Sequence, residues 1–467
     1  MIHLRTAAPH AVRHRNGVAM LAFDQSVITE PLYLEDLPAP AALQMLRSRF
    51  PVFDRLLDPG RTAPAALRDA VAAMNAASWE FEDADTGGRG TAYNLAQRAT
   101  DNRAPGMAAL LRLFSPGFDR IPGPETLLLD VLGGDGTLAR FVNGLDTPGP
   151  MIVSADLSRL MVEACLARDL PALRQAATHS LIRGGALDGV LIAYGSHHLN
   201  DDDRPAAVAE AFRTLRPGGR LVLHDFETGG STARWFDRVV HPWSRTGHPH
   251  RHFTRSEMFS LLTAAGFRDV RVMDIDDPFT LHGADAAAAR DALLDHLDRM
   301  YDLVGAGDTP ASRRARIAAA LPDMLGAIRV APSTHGWTAR LARTALVAIG
   351  TRSTPTGAGD CAHVRYCSHP AAGGHPRPAA AGRSGSGADA HAGRAAPSGR
   401  QLELRRTSAA ASPARAGPAR AGPGDAGCGR RHGYQPAGDR RPGPWPSAGG
   451  RSGKRPLDRD EWRNLQP

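Results

Sequence analysis

Two acidic residues and a group of glycines form the most informative pattern in this sequence of 467 residues. Asp130 closes an apolar run and is followed by Gly133, Gly134 and Gly136, and Asp156 closes a second apolar run. Glycine lets the backbone approach a ligand closely, and an acid about twenty residues beyond such a loop can accept hydrogen bonds from ribose hydroxyls. The spacing therefore predicts a pocket for a nucleotide-type ligand.

The elements that position these residues are strands of a parallel sheet. Residues 127–139 have the pattern of a buried strand, a tight turn and the first turn of a helix, and residues 151–156 form a second apolar strand. Ligands bind beyond the carboxyl ends of such strands, which is where both acids lie.

The same order of elements continues along the chain. The pattern predicts a strand at 187–193, a helix at 206–215, a turn and strand at 216–225, a helix at 254–266 and a strand at 270–273. Together with the glycine loop and the segment Asp156-Leu157-Ser158-Arg159-Leu160-Met161, this series resembles the class I S-adenosylmethionine-dependent methyltransferases over roughly residues 120–275. The resemblance implies an α/β, Rossmann-like fold with a mostly parallel seven-stranded sheet and helices on both faces.

The resemblance also implies the cofactor, S-adenosylmethionine, and its contacts. These are Asp130, Leu132, Gly133, Gly134, Gly136, Asp156, Leu157, Thr178 and His179. Leu132 stands where the family motif has its first glycine, so we expect the loop to curve through the three glycines that follow. The acid that often meets the adenine amino group is missing near Thr178 and His179, where backbone or hydroxyl contacts would replace it.

Two adjacent histidines follow the predicted strand at 187–193, at the carboxyl end of the sheet where the acceptor is expected. Methyl transfer depends mainly on aligning two reactants and excluding water, but a hydroxyl acceptor benefits from a nearby base. A histidine suits that role, so His197 and His198 are the candidate catalytic residues, with a pocket-wall role as the alternative.

A histidine-rich segment, residues 241–252, follows the predicted strand at 216–225. His248, His250 and His252 alternate, so an extended segment would place them on one face, where Asp225 or Glu227 could join them in a metal site. Loops of mixed Arg, His and Pro more often face a substrate or solvent. We therefore predict no metal site.

Composition divides the chain at about residue 350. Residues 351–467 are rich in Ala, Gly, Pro, Arg and Ser, hold 19 Lys and Arg against 8 Asp and Glu, and contain three of the four cysteines. Such a segment buries too little apolar surface to fold, so we predict a disordered tail or, as an alternative, a gene read out of frame. The remaining 350 residues carry a net charge of −3, which does not indicate a basic nucleic-acid-binding domain.

The domain boundaries follow from these patterns. The pattern of residues 1–119 predicts a mostly helical segment with helices at 41–50, 65–77 and 107–114. Its expected role is to cover the cofactor or the substrate, to form a homodimer, or only to pack against the rest of the protein. Residues 120–350 are expected to form the methyltransferase domain, which carries a helical insert at 285–330 before a last antiparallel strand at 344–350. The insert has a predicted helix at 286–301, with Asp285 placed to cap it, and a second at 312–328.

The implied function is methyl transfer to oxygen, nitrogen or carbon of a small molecule, in a cytoplasmic protein with no membrane span and no nucleic-acid partner. The alternatives are an NAD-dependent oxidoreductase, since the glycine loop and Asp156 also fit the dinucleotide pattern, and a non-catalytic interaction module. Nucleic-acid binding by the Arg-rich tail is a third alternative. The sole lysine, Lys454, lies in that tail, which excludes Schiff-base and phosphate-loop chemistry in the folded part.

Overall fold

The computed structural model describes residues 31–353 in full and the backbone of residues 13–15 and 18–20. The predicted tail, apart from its first three residues, lies outside the described residues, and so do both interpretations of it. Most of the N-terminal 30 residues lie outside them as well.

The described strands are, in chain order, β1 (Arg13–Arg15), β2 (Val18–Met20), β3 (Leu32–Leu34), β4 (Leu37–Pro38), β5 (Leu127–Val131), β6 (Met151–Asp156), β7 (Ala172–Arg174), β8 (Leu187–Ile192), β9 (Leu215–Asp225), β10 (Phe267–Asp276), β11 (Phe279–Gly283), β12 (Arg329–Ser333), β13 (Gly336–Leu341) and β14 (Thr344–Arg352). Each strand predicted from 127 onward is confirmed. The short strand β7, which the apolar pattern did not reveal, is an addition.

The described α-helices are α1 (Ala39–Arg49), α2 (Val52–Leu56), α3 (Pro64–Ala77), α4 (Gly90–Ala96), α5 (Ala104–Arg112), α6 (Thr137–Asn143), α7 (Arg159–Leu166), α8 (Asp203–Thr214), α9 (Ser231–Trp235), α10 (His241–Trp243), α11 (Arg255–Ala264), α12 (Ala286–Tyr301) and α13 (Pro310–Ala320). A π-helical turn, Phe236–Val240, joins α9 to α10. The helix predicted at 312–328 ends at Ala320, where a 3₁₀ turn containing Pro322 follows.

Seven strands form the main sheet in the order β10-β14-β9-β8-β5-β6-β7. All are parallel except β14, which pairs antiparallel with both β9 and β10. Right-handed crossovers place α6 and α7 on one face and α8 and α11 on the other. The predicted α/β fold is confirmed.

The register brings the carboxyl ends of the central strands to one edge. Val131 of β5 pairs with Ala155 of β6 and with Ile192 of β8, and Ile192 pairs with Leu223 of β9. The loops that follow these four strands therefore begin side by side. This edge is where the glycine loop, Asp156 and the two adjacent histidines were expected to meet.

The insert has its own hydrophobic core and is not purely helical. Leu293 and Leu297 of α12, Ile317 of α13 and Phe279 of β11 are buried there together with Trp235 of α9. Strands β11, β13 and β12 form a three-stranded antiparallel sheet against which α12 packs. The prediction of a helical insert was therefore incomplete, because these short strands alternate with exposed polar residues and lack an apolar run.

The N-terminal segment contains the helices that were predicted and packs onto the main sheet. Leu67, Val71 and Met74 of α3 are buried in the same core as the sheet residues. Farther on, the Glu82 carboxylate accepts hydrogen bonds from the backbone N–H groups of Arg159 and Leu160 at 2.8 and 3.1 Å. This contact fixes the segment to the first turn of α7, beside Asp156.

Candidate active site

A cavity of about 850 Å³ opens at the carboxyl edge of the sheet. At one end it is lined by residues of the β5 and β6 loops, and at the other by histidines and aromatic rings. The N-terminal segment forms a third wall through α3 and residues 78–81. A single cavity therefore joins the predicted cofactor residues to the predicted catalytic residues.

Asp156 is held in place by backbone hydrogen bonds. Its carboxylate oxygens accept from the N–H groups of Gly134 and Ser158, each at 2.9 Å. Burial raises the pKa of Asp156 to about 6 despite these hydrogen bonds, which favour the ionised form. An oriented carboxylate with further acceptor capacity lies at this end of the cavity.

The loop after β5 curves at Leu132 itself. Leu132 has a φ of 63°, in the left-handed region, as have Gly134 at 55° and Gly136 at 77°. The expectation that the loop curves through the three glycines is therefore incomplete, because Gly134 and Gly136 do have positive φ but the turn begins at Leu132. A leucine in this conformation is strained, since its Cβ crowds the following carbonyl oxygen.

The nine predicted cofactor residues divide into two groups. The cavity is lined by Leu132, Gly134, Asp156, Leu157, Thr178 and His179. Gly133, Gly136 and Asp130 lie behind the wall: a Cβ at Gly136 would lie 2.7 Å from the Sγ of Cys165, so this position requires glycine. Burial and the neighbouring Asp156 raise the pKa of Asp130 to about 7.

His197 forms a hydrogen-bonded pair with Asp225. Its Nδ1 lies 3.0 Å from the Asp225 carboxylate, which is fully buried at the end of β9. Burial lowers the pKa of His197 to about 3, and the neighbouring carboxylate only partly compensates for this effect. His197 is therefore a neutral imidazole whose Nδ1–H is directed to Asp225, which leaves Nε2 as the acceptor nitrogen.

His198 meets a carboxylate and a histidine from distant parts of the chain. Its Nδ1 lies 3.1 Å from Oε2 of Glu80 and 3.0 Å from Nε2 of His250. The other Glu80 oxygen accepts from Nε of Arg89 at 3.0 Å. Sequence reasoning missed Glu80, because nothing in the spacing of residues 78–81 indicates a partner more than a hundred residues away.

The alternating histidines are largely buried, which excludes an exposed loop. His248 and His252 are 4% and 3% exposed, and His250 lines the cavity. Nδ1 of His252 lies 2.9 Å from Asp225, so this carboxylate receives two imidazoles. Glu227, which was considered as a partner, instead pairs with Arg255 on the outside.

Three further residues that line the cavity, Arg103, Tyr194 and Arg343, were not found from the sequence. Arg103 is 5% exposed and stacks 3.5 Å from the centroid of the Tyr194 ring, and no carboxylate within residues 31–353 lies at ion-pair distance from it. The Tyr194 hydroxyl donates to Asp277 at 3.0 Å, and Asp277 is paired with Arg343. A buried cation with no acidic partner is a signal that only the folded structure contains.

Comparison with known proteins agrees with this architecture. Residues 129–223 match the family model described as a methyltransferase domain. A demethylmenaquinone methyltransferase of Mycolicibacterium vanbaalenii is 35% identical over 22% of this chain and 44% of that protein, so the chain spans under half of that relative. A ubiquinone/menaquinone biosynthesis C-methyltransferase of Syntrophotalea carbinolica is 29% identical over 38% of this chain and 86% of its own length.

Two solved structures resemble the fold at low identity. A phosphoethanolamine N-methyltransferase of Haemonchus contortus in complex with S-adenosyl-L-methionine is 14% identical, with 56% of each chain covered and a TM-score of 0.36. The YcgJ protein of Bacillus subtilis is 16% identical, with 50% of this chain and 94% of that chain covered and a TM-score of 0.34. Within the described part of the chain, no helix is long and apolar enough to cross a membrane.

Proposed function

Because the chain belongs to the class I S-adenosylmethionine-dependent methyltransferase family, we propose that it transfers a methyl group from S-adenosylmethionine to a small-molecule acceptor. The observation that carries this proposal is the single cavity that joins Asp156 and the glycine loop to His197 and His198. Its volume of about 850 Å³ is within the range of ligand pockets, which is roughly 300–1,000 Å³. The unpaired and buried Cys165 supports a reducing, cytoplasmic location.

The nucleoside part of the cofactor fits the end that Asp156 occupies. Two backbone N–H groups hold this carboxylate, so its remaining acceptor sites are directed toward ribose hydroxyls. Leu157, Thr178 and His179 line the wall beside it, where we place the adenine ring. The hydroxyl of Thr178 and the imidazole of His179 are the polar groups available to the adenine edge.

The amino-acid part of the cofactor fits the neighbouring pair of opposite charges. S-adenosylmethionine ends in an ammonium and a carboxylate group. Arg103 lines the cavity, and no carboxylate of residues 31–353 lies at ion-pair distance from it. Its charge lowers the pKa of Asp130 against the effect of burial. We assign the cofactor carboxylate to Arg103, which lines the cavity, and we place the ammonium toward Asp130, whose carboxylate lies behind the cavity wall and would act on the ammonium through its charge.

The acceptor end favours a flat and largely apolar molecule. Aromatic rings of Phe226, Phe236 and Tyr301 line it together with Met300. Such walls bind ring systems by stacking and edge contacts. The relatives named demethylmenaquinone methyltransferases make a quinone-type ring one acceptor to test.

His197 is positioned to act as the base for an acceptor hydroxyl. Asp225 fixes the imidazole through Nδ1, so that Nε2 can accept a proton in the cavity. When bound, S-adenosylmethionine supplies the electrophilic methyl group, and the protein aligns it and excludes water. We expect His197→Gln to lower kcat by about 10²-fold or more while cofactor affinity stays unchanged.

Calorimetric titration of S-adenosylmethionine and S-adenosylhomocysteine into the full chain tests the proposal. We expect micromolar binding of both compounds, which Asp156→Ala abolishes and Arg103→Met weakens. A screen of ring-containing acceptors with S-adenosylmethionine should then show methyl transfer. A folded protein that binds neither compound would overturn the proposal and favour an interaction module. Binding of NAD in place of both compounds would instead favour the oxidoreductase.

A further inference from the structure

Five imidazoles meet at the acceptor end of the cavity. We call His197, His198, His248, His250 and His252 the histidine cluster. The ring centroids of His198 and His250 lie 4.3 Å apart, those of His197 and His198 4.6 Å, and those of His248 and His250 4.8 Å. Proton transfer to a single base requires only one of these rings, so the methyltransferase reaction does not account for the cluster.

One group of three donor atoms has the spacing of metal ligands. Oε2 of Glu80, Nδ1 of His198 and Nε2 of His250 are separated by 3.0, 3.1 and 3.5 Å. Ligands about 2.1 Å from a common ion lie about 3.0 Å apart in octahedral and about 3.4 Å apart in tetrahedral geometry. The three observed separations span these values. Two histidines and one carboxylate are also a common donor set for divalent transition metals.

A second and independent observation concerns His248. This side chain is 4% exposed, yet neither ring nitrogen has a hydrogen-bond partner in the described structure. A neutral imidazole carries one donor and one acceptor, and buried polar groups are nearly always paired. His248 forms a separate set with His197 and His198 whose donor atoms lie within 4.8 Å of one another. A buried imidazole without a hydrogen-bond partner, next to three donor atoms at metal-ligand spacing, indicates that this position binds a ligand.

The residues behind these donors resemble the outer layer of a metal site. Arg89 holds Oε1 of Glu80, which leaves Oε2 to the imidazoles. Asp225 receives Nδ1 of both His197 and His252 and fixes the orientation of the two rings. These two rings are thus held in place beside the proposed ligands without being ligands themselves.

We propose that the histidine cluster and Glu80 bind one divalent transition-metal ion of the zinc class, with Glu80, His198 and His250 as its ligands and the unpaired His248 beside them. All three spaced donors line the cavity, so the ion faces the space assigned to the acceptor. Insofar as the site serves the proposed methyl transfer, it selects acceptors that carry a metal-binding oxygen. The prediction of no metal site rested on a loop that faces substrate or solvent, whereas His248 and His252 are buried and His250 lies beside Glu80.

Cobalt and zinc titrations of the full chain test this proposal without cofactor or acceptor. After dialysis against a chelator, Co²⁺ binding is followed by visible absorption, and the stoichiometry of Zn²⁺ is measured by mass spectrometry of the metal. We expect one ion per chain. His250→Ala and the isosteric Glu80→Gln should each weaken binding by about 100-fold, since loss of an outer-layer partner alone costs 10–100-fold. His282→Ala, which removes an exposed imidazole on β11, should leave binding unchanged.

The tail contains a second segment with metal-binding side chains, so the experiment must distinguish metal bound there from metal bound at the histidine cluster. Residues 361–369 contain two cysteines and two histidines. All titrations are therefore repeated in a Cys361→Ser/Cys367→Ser background, which cannot form a cobalt–thiolate bond at those positions. Binding that persists there and is lost with His250→Ala supports the proposal. The proposal is overturned if binding disappears with the cysteines. It is also overturned if Glu80→Gln, His250→Ala and the unmodified chain bind the metal equally well. Both conclusions hold whether or not S-adenosylmethionine binds.

Discussion

Leu132 is the residue at which this chain departs most clearly from the methyltransferase motif. It occupies the first glycine position, keeps a φ of 63° and places its side chain at the cavity wall. A left-handed conformation costs an L-residue about 1–2 kcal/mol. The loop therefore keeps the backbone path that a glycine would give, at the expense of local strain.

Two substitutions at this position measure the strain directly. Leu132→Gly and Leu132→Ala both remove the side chain beyond Cβ, and they differ only in Cβ itself. At an ordinary position alanine is the more stable of the two, whereas at positive φ glycine should be favoured by about 1 kcal/mol. We expect urea denaturation to give the glycine variant the higher free energy of unfolding. The reverse order would show that Leu132 is not strained in solution.

The two buried carboxylates at the cofactor end make binding depend on pH. Asp156 has a pKa of about 6 and Asp130 of about 7 in the folded protein, both raised chiefly by burial. The cofactor contact assigned to Asp156 and the charge interaction assigned to Asp130 both require the ionised carboxylates, so affinity should fall as pH decreases through 7 and then 6. Below both pKa values, each carboxylate contributes about a tenfold loss per pH unit.

The matched control for this dependence is Asp156→Asn, which keeps the shape of the side chain but cannot titrate. Calorimetry between pH 5 and 8 should show that cofactor binding releases about one proton fewer in this variant than in the unmodified protein. An identical pH slope in both proteins would mean that Asp156 does not bind the cofactor in its ionised form.

At the scale of elements, the helix and strand pattern was largely predictable from the sequence. The apolar runs at 127–131 and 151–156 became β5 and β6, because fully buried parallel strands are continuous in hydrophobicity. Strands β11 to β13 were missed, because each is short and partly exposed. The pairing of β11 with β13 joins residues more than fifty positions apart, such as Phe279 and Leu341, which no local window contains.

The N-terminal cap of α12 is a feature that the local sequence predicts. Asp285 was expected to cap this helix, and its carboxylate accepts from the N–H of Ala288 at 2.8 Å. Asp285→Ala should lower the free energy of unfolding by about 1 kcal/mol, and Asp285→Ser should retain most of the stability. Chemical denaturation measures both. Equal loss in the two variants would assign the effect to charge instead of capping.

At the scale of the whole molecule, the site is assembled from parts that the sequence keeps far apart. His197, His198 and Asp156 could be singled out because they follow predicted strands, and parallel strands share one carboxyl edge. Glu80 and Arg103 could not, since they come from the N-terminal segment and only the packing of that segment brings them to the cavity. The resemblance to a family located the cofactor end, whereas the acceptor end required the structure.

The N-terminal segment should therefore control access to the cavity. The Glu82 carboxylate bonds two backbone N–H groups at the start of α7, and residues 78–81 line the cavity immediately before it. Glu82→Ala should speed hydrogen exchange over residues 79–90 and accelerate cofactor release by about tenfold, since hydrogen bonds to a charged group contribute about 1.5–3 kcal/mol. Asp85→Ala, an exposed change in the same loop, is the control. Unchanged exchange in Glu82→Ala would exclude a covering role for this contact.

The position of β14 determines when the fold can be completed. This strand lies between β9 and β10, although it is the last strand along the described chain, and it pairs with Leu221–Asp225 on one side and with most of β10 on the other. Until residues 344–352 are synthesised, β9 and β10 cannot be joined, and each presents an unpaired backbone edge. A nascent chain that lacks β14 therefore exposes two strand edges that can pair with other chains. The insert that precedes β14 lengthens the time for which these edges are exposed. The order of the strands therefore predicts that a nascent chain ending before residue 344 aggregates more readily than the finished chain.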